Sequence, residues 1–99
     1  MTQQIIGIKC IKRTCESCPS QWEVKLMDGR MVYVRYRWGI LSIRASLKKT
    51  DDIMDAVNGK EIIGEKLGAG FDGYLDDDAM KKYLKTALER LAIWNNLLK

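Results

Sequence analysis

The sequence predicts an α+β domain in which an antiparallel β-meander sheet is packed by one long C-terminal helix and a short helix. Between residues 22 and 46, apolar and polar side chains alternate in three segments that are separated by short turns. From residue 76 to about residue 97, apolar side chains recur at helical spacing instead. The 99 residues contain no linker, repeat or low-complexity tract, so residues 1–99 are expected to form a single domain.

Four strands are predicted in the first half of the chain. Residues 4–11 are rich in β-branched side chains, whereas the polar residues 12–20, which include the only proline, are predicted to form a loop. The next three strands are predicted at residues 22–26, 31–37 and 40–46. Asp28 with Gly29, and Trp38 with Gly39, mark the turns between these strands.

The second half begins and ends with a helix. Thr50, followed by two aspartates, is predicted to cap a short helix that stops at Asn58 and Gly59. Residues 61–66 are predicted to form a short strand, followed by a glycine-rich loop up to Gly73. Three aspartates at residues 76–78 then open the long helix, where negative charge favours the helix dipole. Its predicted apolar stripe consists of Met80, Tyr83, Leu84, Ala87, Leu88, Leu91 and Trp94.

The lengths of the turns predict which side chains share a face of the sheet. If Trp38 and Gly39 form a two-residue turn, Arg37 pairs with Ile40 across the hairpin. The core face then holds Val32, Val34, Tyr36, Leu41, Ile43 and Ala45. An odd number of loop residues in the first hairpin adds Trp22, Val24 and Leu26 to that face. The outer face is predicted to carry Glu23, Lys25, Tyr33, Arg35, Arg37, Ser42 and Arg44.

Composition excludes several chemistries. The chain has no histidine, which removes the commonest general base and the usual ligands of catalytic zinc, and no pair of carboxylates has a spacing that indicates acid–base catalysis. We therefore expect a protein that is not an enzyme and needs no cofactor. The net charge is +4, but residues 1–50 hold ten basic and three acidic side chains, against seven and ten in residues 51–99. This asymmetry indicates an anionic partner for residues 1–50, which contain most of the predicted sheet, or head-to-tail contact between subunits.

Three cysteines, Cys10, Cys15 and Cys18, lie in the first fifth of the chain. Their odd number and the polar N-terminal residues predict free thiols in a reducing cytosol, without a signal peptide. Cys15 and Cys18 form a CxxC pair, so a metal site completed by Cys10 or by a second chain, and a redox role, stay open as alternatives. No metal-binding residue is assigned. No apolar run is long enough to span a membrane.

The outer face is the predicted binding site. Guanidinium groups bind phosphate and stack on rings, so Arg35, Arg37 and Arg44 are candidates to bind phosphates, with Ser42 beside them. Tyr33 or Trp38 would stack on a base. The alternative is an ordinary solvated sheet face, in which Glu23 pairs with Arg35.

A second candidate segment is the GxGxxG sequence of residues 68–73. A dinucleotide-binding fold needs a further parallel strand after the helix, and the chain ends there, so that interpretation is rejected. The glycines are expected to permit a tight loop. A weaker alternative is that backbone N–H groups at Gly68 and Gly70 approach a phosphate beside the sheet.

Three short segments form a distinctive pattern: residues 18–23 (CPSQWE), 28–30 (DGR) and 32–39 (VYVRYRWG), with Leu41 and Ser42 after them. In this pattern the chain resembles a family of small proteins of bacteriophages and prophages. Val24 stands where the family pattern has glycine. The resemblance implies a phage-type protein that acts in the host bacterial cytosol by binding a host factor.

Two functions compete within that setting. In the first, the protein sequesters a phosphate-bearing nucleotide signal of host immunity. In the second, it is a macromolecule-binding inhibitor, either an anti-CRISPR-like protein or a nucleic-acid-binding module, with nucleic acid or a host protein as its partner. Ile93 and Leu97 lie off the predicted core stripe of the long helix, which predicts a homodimer or larger symmetric oligomer.

Overall fold

A single antiparallel sheet organises the computed structural model, which describes residues 7–15, 20–68 and 74–97. The elements are β1 (Ile8–Cys15), β2 (Ser20–Leu26), β3 (Met31–Arg37), β4 (Ile40–Ala45), α1 (Ile53–Val57), β5 (Lys60–Lys66) and α2 (Asp77–Leu97). The strands lie in the order β1-β2-β3-β4-β5, so every strand pairs with its neighbour in the sequence. The predicted α+β class, with a meander, a long C-terminal helix and a short helix, is confirmed.

Both central hairpins have the predicted register. Across the Trp38–Gly39 turn, Arg37 pairs with Ile40 and Tyr33 pairs with Arg44. In the first hairpin the Leu26 N–H donates to the Arg30 carbonyl oxygen at 2.9 Å, which leaves an odd loop of residues 27–29. Gly29 has a φ of +93° in that loop, a conformation that favours glycine. Because the side chains of a strand alternate between faces, these two turns set the faces of β2, β3 and β4.

The prediction for the first strand is wrong in its bounds. Strand β1 continues to Cys15, so residues 12–15, which the sequence assigned to a loop, belong to the sheet. Within this polar part, Lys12 pairs with Glu23 and Arg13 pairs with Trp22. An edge strand accommodates polar side chains because one of its faces and its outer edge remain accessible to water. Residues 4–6 and 16–19, the latter with Cys18, lie outside the described residues.

The predicted cap of the short helix is also wrong. Asp52, not Thr50, is the N-cap, because its carboxylate accepts a hydrogen bond from the Met54 N–H at 3.0 Å. The Thr50 hydroxyl accepts from the Asp52 N–H instead. Asn58 ends the helix as predicted, and a Cβ atom on Gly59 would clash with the Ala45 carbonyl oxygen. Glycine is therefore required between α1 and β5, because the backbone at Gly59 passes so close to the backbone of β4 at Ala45.

The core lies between one face of the sheet and α2. All nine residues predicted for the core face are at most 2% exposed. Helix α2 contributes the buried side chains of Met80, Leu84, Ala87, Leu88 and Leu91, while Tyr83 is partly buried and the Trp94 side chain lies outside the described residues. Asp76 caps this helix, since its carboxylate accepts from the Ala79 N–H at 2.7 Å.

A polar junction fixes the start of α2 against β1 and β2. The indole N–H of fully buried Trp22 donates to the Asp77 carboxylate at 2.8 Å. The Arg13 guanidinium donates to the same carboxylate at 3.3 Å and to the Leu75 carbonyl oxygen at 2.9 Å, and its centre lies 4.7 Å from the centre of the Trp22 ring. The Ser20 hydroxyl accepts from the Leu75 N–H at 3.0 Å. We call these five residues the Trp22–Asp77 junction.

The junction predicts different costs for two neighbouring aspartates. Asp77→Ala leaves the buried indole N–H without its acceptor, which should lower the free energy of unfolding by about 1–3 kcal/mol. Asp78→Ala removes a similar charge from the same helical turn, and its loss should cost less than about 1 kcal/mol. Urea denaturation of both variants measures the difference. Equal costs would show that Asp77 acts only on the helix dipole.

Candidate functional site

The face of the sheet opposite α2 carries the predicted site. Its predicted side chains are half-buried or exposed, as expected for that face. The structure adds four residues that the sequence analysis did not name: Gln21 beside Arg35, and Glu61, Gly64 and Lys66 on β5. The strand predicted at residues 61–66 is present as β5, but its register was not predicted, and it shifts between the partners of Ile43 and Arg44. A bulge of this kind changes which side chains share a face.

Three of the predicted ligand-binding side chains are hydrogen-bonded within the protein. The Tyr33 hydroxyl accepts a hydrogen bond from the Gln21 side-chain amide at 2.8 Å. The Ser42 hydroxyl donates to the Glu61 carboxylate at 3.0 Å, and the Arg44 guanidinium donates to a backbone carbonyl oxygen, that of Gly59, at 3.5 Å. These bonds hold the middle of the outer face in one arrangement.

Arg35 lies on the central strand of this face. Gln21 and Ser42 pair with it from the two neighbouring strands. Its Nε–H group is buried and has no hydrogen-bond partner among the described residues. A buried donor without an acceptor costs about 1–3 kcal/mol, so the Arg35 side chain would gain a hydrogen bond by turning outward to an anion. Glu23, the alternative partner of Arg35, pairs with Tyr33 instead.

Trp38 is exposed at the end of the same face. It is 54% exposed, and the Arg37 guanidinium lies 5.1 Å from the centre of its ring. Trp38 has a φ of +57° and Gly39 a φ of +72°. Two positive φ values in a two-residue hairpin are those of a type I′ turn, whose twist fits the flanking strands. Tryptophan is unusual in this backbone conformation, where asparagine and glycine are favoured.

The start of the glycine-rich loop lies against this turn. The N–H groups of Leu67 and Gly68 both donate to the Gly39 carbonyl oxygen, at 2.7 and 3.2 Å. The Gly68 N–H is therefore used within the protein. Gly70 and the rest of residues 69–73 lie outside the described residues.

The end of the sheet combines positive charge with apolar surface. Ile40 is 49% exposed and pairs with Arg37 on one side and with Lys66 on the other. We define the Trp38 surface as Arg35, Arg37, Trp38, Ile40 and Lys66. The predicted pairing of Arg37 with Ile40 already placed Ile40 on this face, so the signal for it was present in the sequence.

At the opposite end of the outer face, the charged side chains form ion pairs with each other. The Lys25 ammonium donates to the Asp51 carboxylate at 2.8 Å, and this hydrogen bond holds the pKa of Asp51 below its ordinary value. Burial opposes ionisation of Asp28, but hydrogen bonds from the Arg30 side chain and N–H outweigh it, so the pKa of Asp28 is also lowered. Lys25 is therefore paired within the protein. The cations of the outer face that remain available to a partner lie near Trp38.

The cysteines provide no site within the described residues. Cys10 is exposed and has a free thiol, and Cys15 is half-buried. Cys18 lies outside the described residues. In the part of the chain that the structure describes, no three Cys, Asp or Glu side chains are grouped so that they could hold a metal ion.

The fold and this surface define a small α+β domain with an exposed face of arginine and tryptophan. Comparison of the chain with protein-family models, with curated proteins and with solved structures finds no match. Within residues 7–15, 20–68 and 74–97, no helix is both long enough and apolar enough to cross a membrane.

The conformation of Trp38 predicts that its replacement does not destabilise the fold. Trp38→Asn places a residue that tolerates positive φ in the type I′ turn, which should raise the free energy of unfolding by about 0.5–1 kcal/mol. Gly39→Ala in the same turn should lower it by about 1 kcal/mol, because alanine is strained at a φ of +72°. Urea denaturation measures both. A clear loss of stability in Trp38→Asn would show that the indole ring is needed for packing.

Proposed function

We propose that this protein binds a phosphate-bearing nucleotide on its outer face and sequesters it without changing it chemically. The observation that carries the proposal is the buried Arg35 Nε–H group, which has no partner among the described residues and lies on the same strand as Arg37, whose guanidinium lies against the exposed Trp38 ring of the next turn. A nucleotide carries the two groups that this arrangement suits, which are a phosphate for guanidinium groups and an aromatic base for an indole ring.

The spacing of the arginines suits adjacent phosphates. Arg35 and Arg37 are two residues apart on β3 and share a face, so their Cα atoms are separated by roughly 7 Å along the strand. Guanidinium forks that far apart contact either two phosphates or the two sides of one. Lys66, which pairs with Ile40 beside Arg37, adds a third cation.

The remaining predicted ligands take a smaller part in this proposal. Tyr33, Ser42 and Arg44 are hydrogen-bonded within the sheet, so each would exchange an internal bond for one to the ligand. Their internal hydrogen bonds help to hold the central strands of the sheet in position. The Gly68 N–H is likewise already donated to Gly39. Stacking is therefore assigned to Trp38 and phosphate binding to Arg35 and Arg37.

The biological setting of the proposal comes from the resemblance to small phage proteins. A phage-encoded protein that binds a nucleotide signal of host immunity in the bacterial cytosol would lower its free concentration and so suppress the defence. Tight binding in stoichiometric amounts is sufficient for this role, and no catalytic group is required.

The second candidate is a macromolecule-binding inhibitor, and the exposure of Trp38 and Ile40 favours it. Both apolar side chains lie at the end of an open sheet face, at 54% and 49% exposure. Single-stranded nucleic acid binds such faces by stacking bases on aromatic rings beside positive charge. A host protein with an acidic surface, as for an anti-CRISPR-like inhibitor, would use the same side chains.

A nucleotide panel tests the proposed function. Cyclic mono-, di- and trinucleotides and ADP-ribose derivatives are added at physiological salt, and the melting temperature is measured. A ligand present at 100 times its dissociation constant stabilises the folded state by about 2.7 kcal/mol. For a domain of this size, that corresponds to a shift of roughly 10 °C or more.

Variants then locate the site. Arg35→Ala and Arg37→Ala should stay folded, and each should weaken binding of the nucleotide by about 1.5–3 kcal/mol in a calorimetric titration, because each removes a charge-assisted hydrogen bond. Lys82→Ala is the control, since it removes a positive charge at an exposed position of α2, the helix that packs against the other face of the sheet. If no nucleotide shifts the melting temperature while single-stranded DNA binds with a steep salt dependence, the second candidate replaces the first.

Self-association is a further part of the proposal. Ile93 is 45% exposed on α2, and it lies nine residues after Leu84, which is about 180° around the helix from this core residue. The Leu97 side chain lies outside the described residues. We expect a homo-oligomer that buries Ile93, so sedimentation equilibrium should give a mass above 11.4 kDa, and Ile93→Asp should return it to that of the monomer. A monomeric mass for the unmodified chain would contradict this.

A further inference from the structure

A second surface lies where β1 meets α2. It is separate from the outer face and has a different composition. An open groove of about 460 Å³ runs between this edge strand and the helix. It is lined by Gly7, Ile8 and Ile11 on one side and by Lys81, Leu84, Lys85 and Leu88 on the other. The floor is therefore aliphatic, and the rim on the helix side consists of two ammonium groups.

Every charged side chain that lines the groove is positive. Lys81 and Lys85 are exposed on α2 and are the charged residues among those described that line the groove, whereas Lys9 and Lys12 of the facing strand are exposed but do not line it, and Lys12 pairs with Glu23 of the outer face. Strand β1 has the sequence IKCIKRTC and contains no acidic residue. Arg13, the remaining cation of the strand, is directed to Asp77 at the Trp22–Asp77 junction. The electrostatic complement of this groove is a negatively charged segment.

A second copy of the chain does not meet that requirement. In a two-fold symmetric contact the same patch meets itself, so lysines of one copy would face lysines of the other. Pairing between edge strands is disfavoured as well, because the ladder of β1 with β2 is irregular between Ile8 and Cys10 and again between Arg13 and Cys15. Bulges and lysines on an edge strand are features that prevent such pairing.

We propose that this groove binds a short acidic segment of a partner protein, with aliphatic side chains on the floor and carboxylates against Lys81 and Lys85. The spacing suits an extended segment. Lys81 and Lys85 are four residues apart on a helix, which is about 6 Å along its axis. Alternate residues of an extended chain repeat at nearly the same distance, roughly 7 Å, and the residues between them point the other way. Acidic and aliphatic residues in alternation would therefore contact the lysines and the floor together.

The test uses a synthetic peptide in which leucine alternates with glutamate, with polar residues at both ends. Its binding is followed by the amide chemical shifts of the isotope-labelled protein. The expected result is saturable shifts at Ile8, Ile11, Leu84 and Leu88. Lys85→Glu should weaken binding at least about tenfold, since it replaces attraction by repulsion at the rim.

Lys82→Glu is the matched control, because it makes the same charge change at an exposed position that is directed away from the groove. Its affinity for the peptide should stay within about twofold of the unmodified protein. A peptide with lysine in place of glutamate should not bind. The proposal is overturned if that peptide binds equally well, if Lys82→Glu weakens binding as much as Lys85→Glu, or if the shifts fall on the outer face.

The two binding proposals fail independently of each other. Arg35→Ala should leave binding of the acidic peptide unchanged, and Lys85→Glu should leave nucleotide binding unchanged, because Arg35 and Lys85 lie on opposite sides of the sheet. Loss of peptide binding in Arg35→Ala would assign the peptide to the outer face and refute the groove.

Discussion

The buried indole N–H of Trp22 imposes the constraint on which the arrangement of the domain depends. Burying a large aromatic ring stabilises the core, but its single polar group needs an acceptor there. Asp77 supplies that acceptor at the first residue of α2, and Arg13 joins it from β1, 64 residues earlier in the chain. Hydrogen bonds and an ion pair thereby fix the start of the last helix against the first two strands. The helix must then cover the face of the sheet that holds Trp22.

Because α2 covers one face of the sheet, the residues of the other face remain accessible to solvent and to partners. Since α2 packs on the side of Trp22, Val24 and Leu26, the alternate residues of every central strand are left on the outer side. There the chain satisfies most polar groups itself, through the bonds of Tyr33, Ser42 and Arg44. Two features of this face differ: Arg35 has a buried donor that no described residue accepts from, and Trp38 is exposed in a backbone conformation that does not favour it. A costly arrangement of this kind is typical of a binding site.

The two proposed surfaces share a positive charge but differ in the chemistry beside it. The Trp38 surface presents planar guanidinium groups and an indole ring, which suit phosphates and bases. The groove presents ammonium groups above an aliphatic floor, which suit carboxylates carried on an apolar segment. The charge asymmetry of the sequence is consistent with the Trp38 surface, because Arg35 and Arg37 belong to residues 1–50, which carry the excess positive charge, whereas Lys81 and Lys85 of the groove belong to residues 51–99. The two surfaces lie on different sides of the sheet, so one molecule could hold both partners at once.

The sequence by itself determined the faces of the three central strands, and with them the core and the position of Arg35, Arg37 and Trp38. It could do so because alternation within a strand and the length of a turn are local properties. Tertiary structure decided the rest. Residues 12–15 became a strand because Arg13 contacts the Trp22 ring of the next strand and, more than 60 residues away, the Asp77 carboxylate and the Leu75 carbonyl oxygen. The register of β5, with its bulge, places Lys66 beside Ile40. The tertiary structure also determines that Arg44 donates a hydrogen bond to the Gly59 carbonyl oxygen. Such contacts depend on residues far apart in the chain, and no local pattern records them.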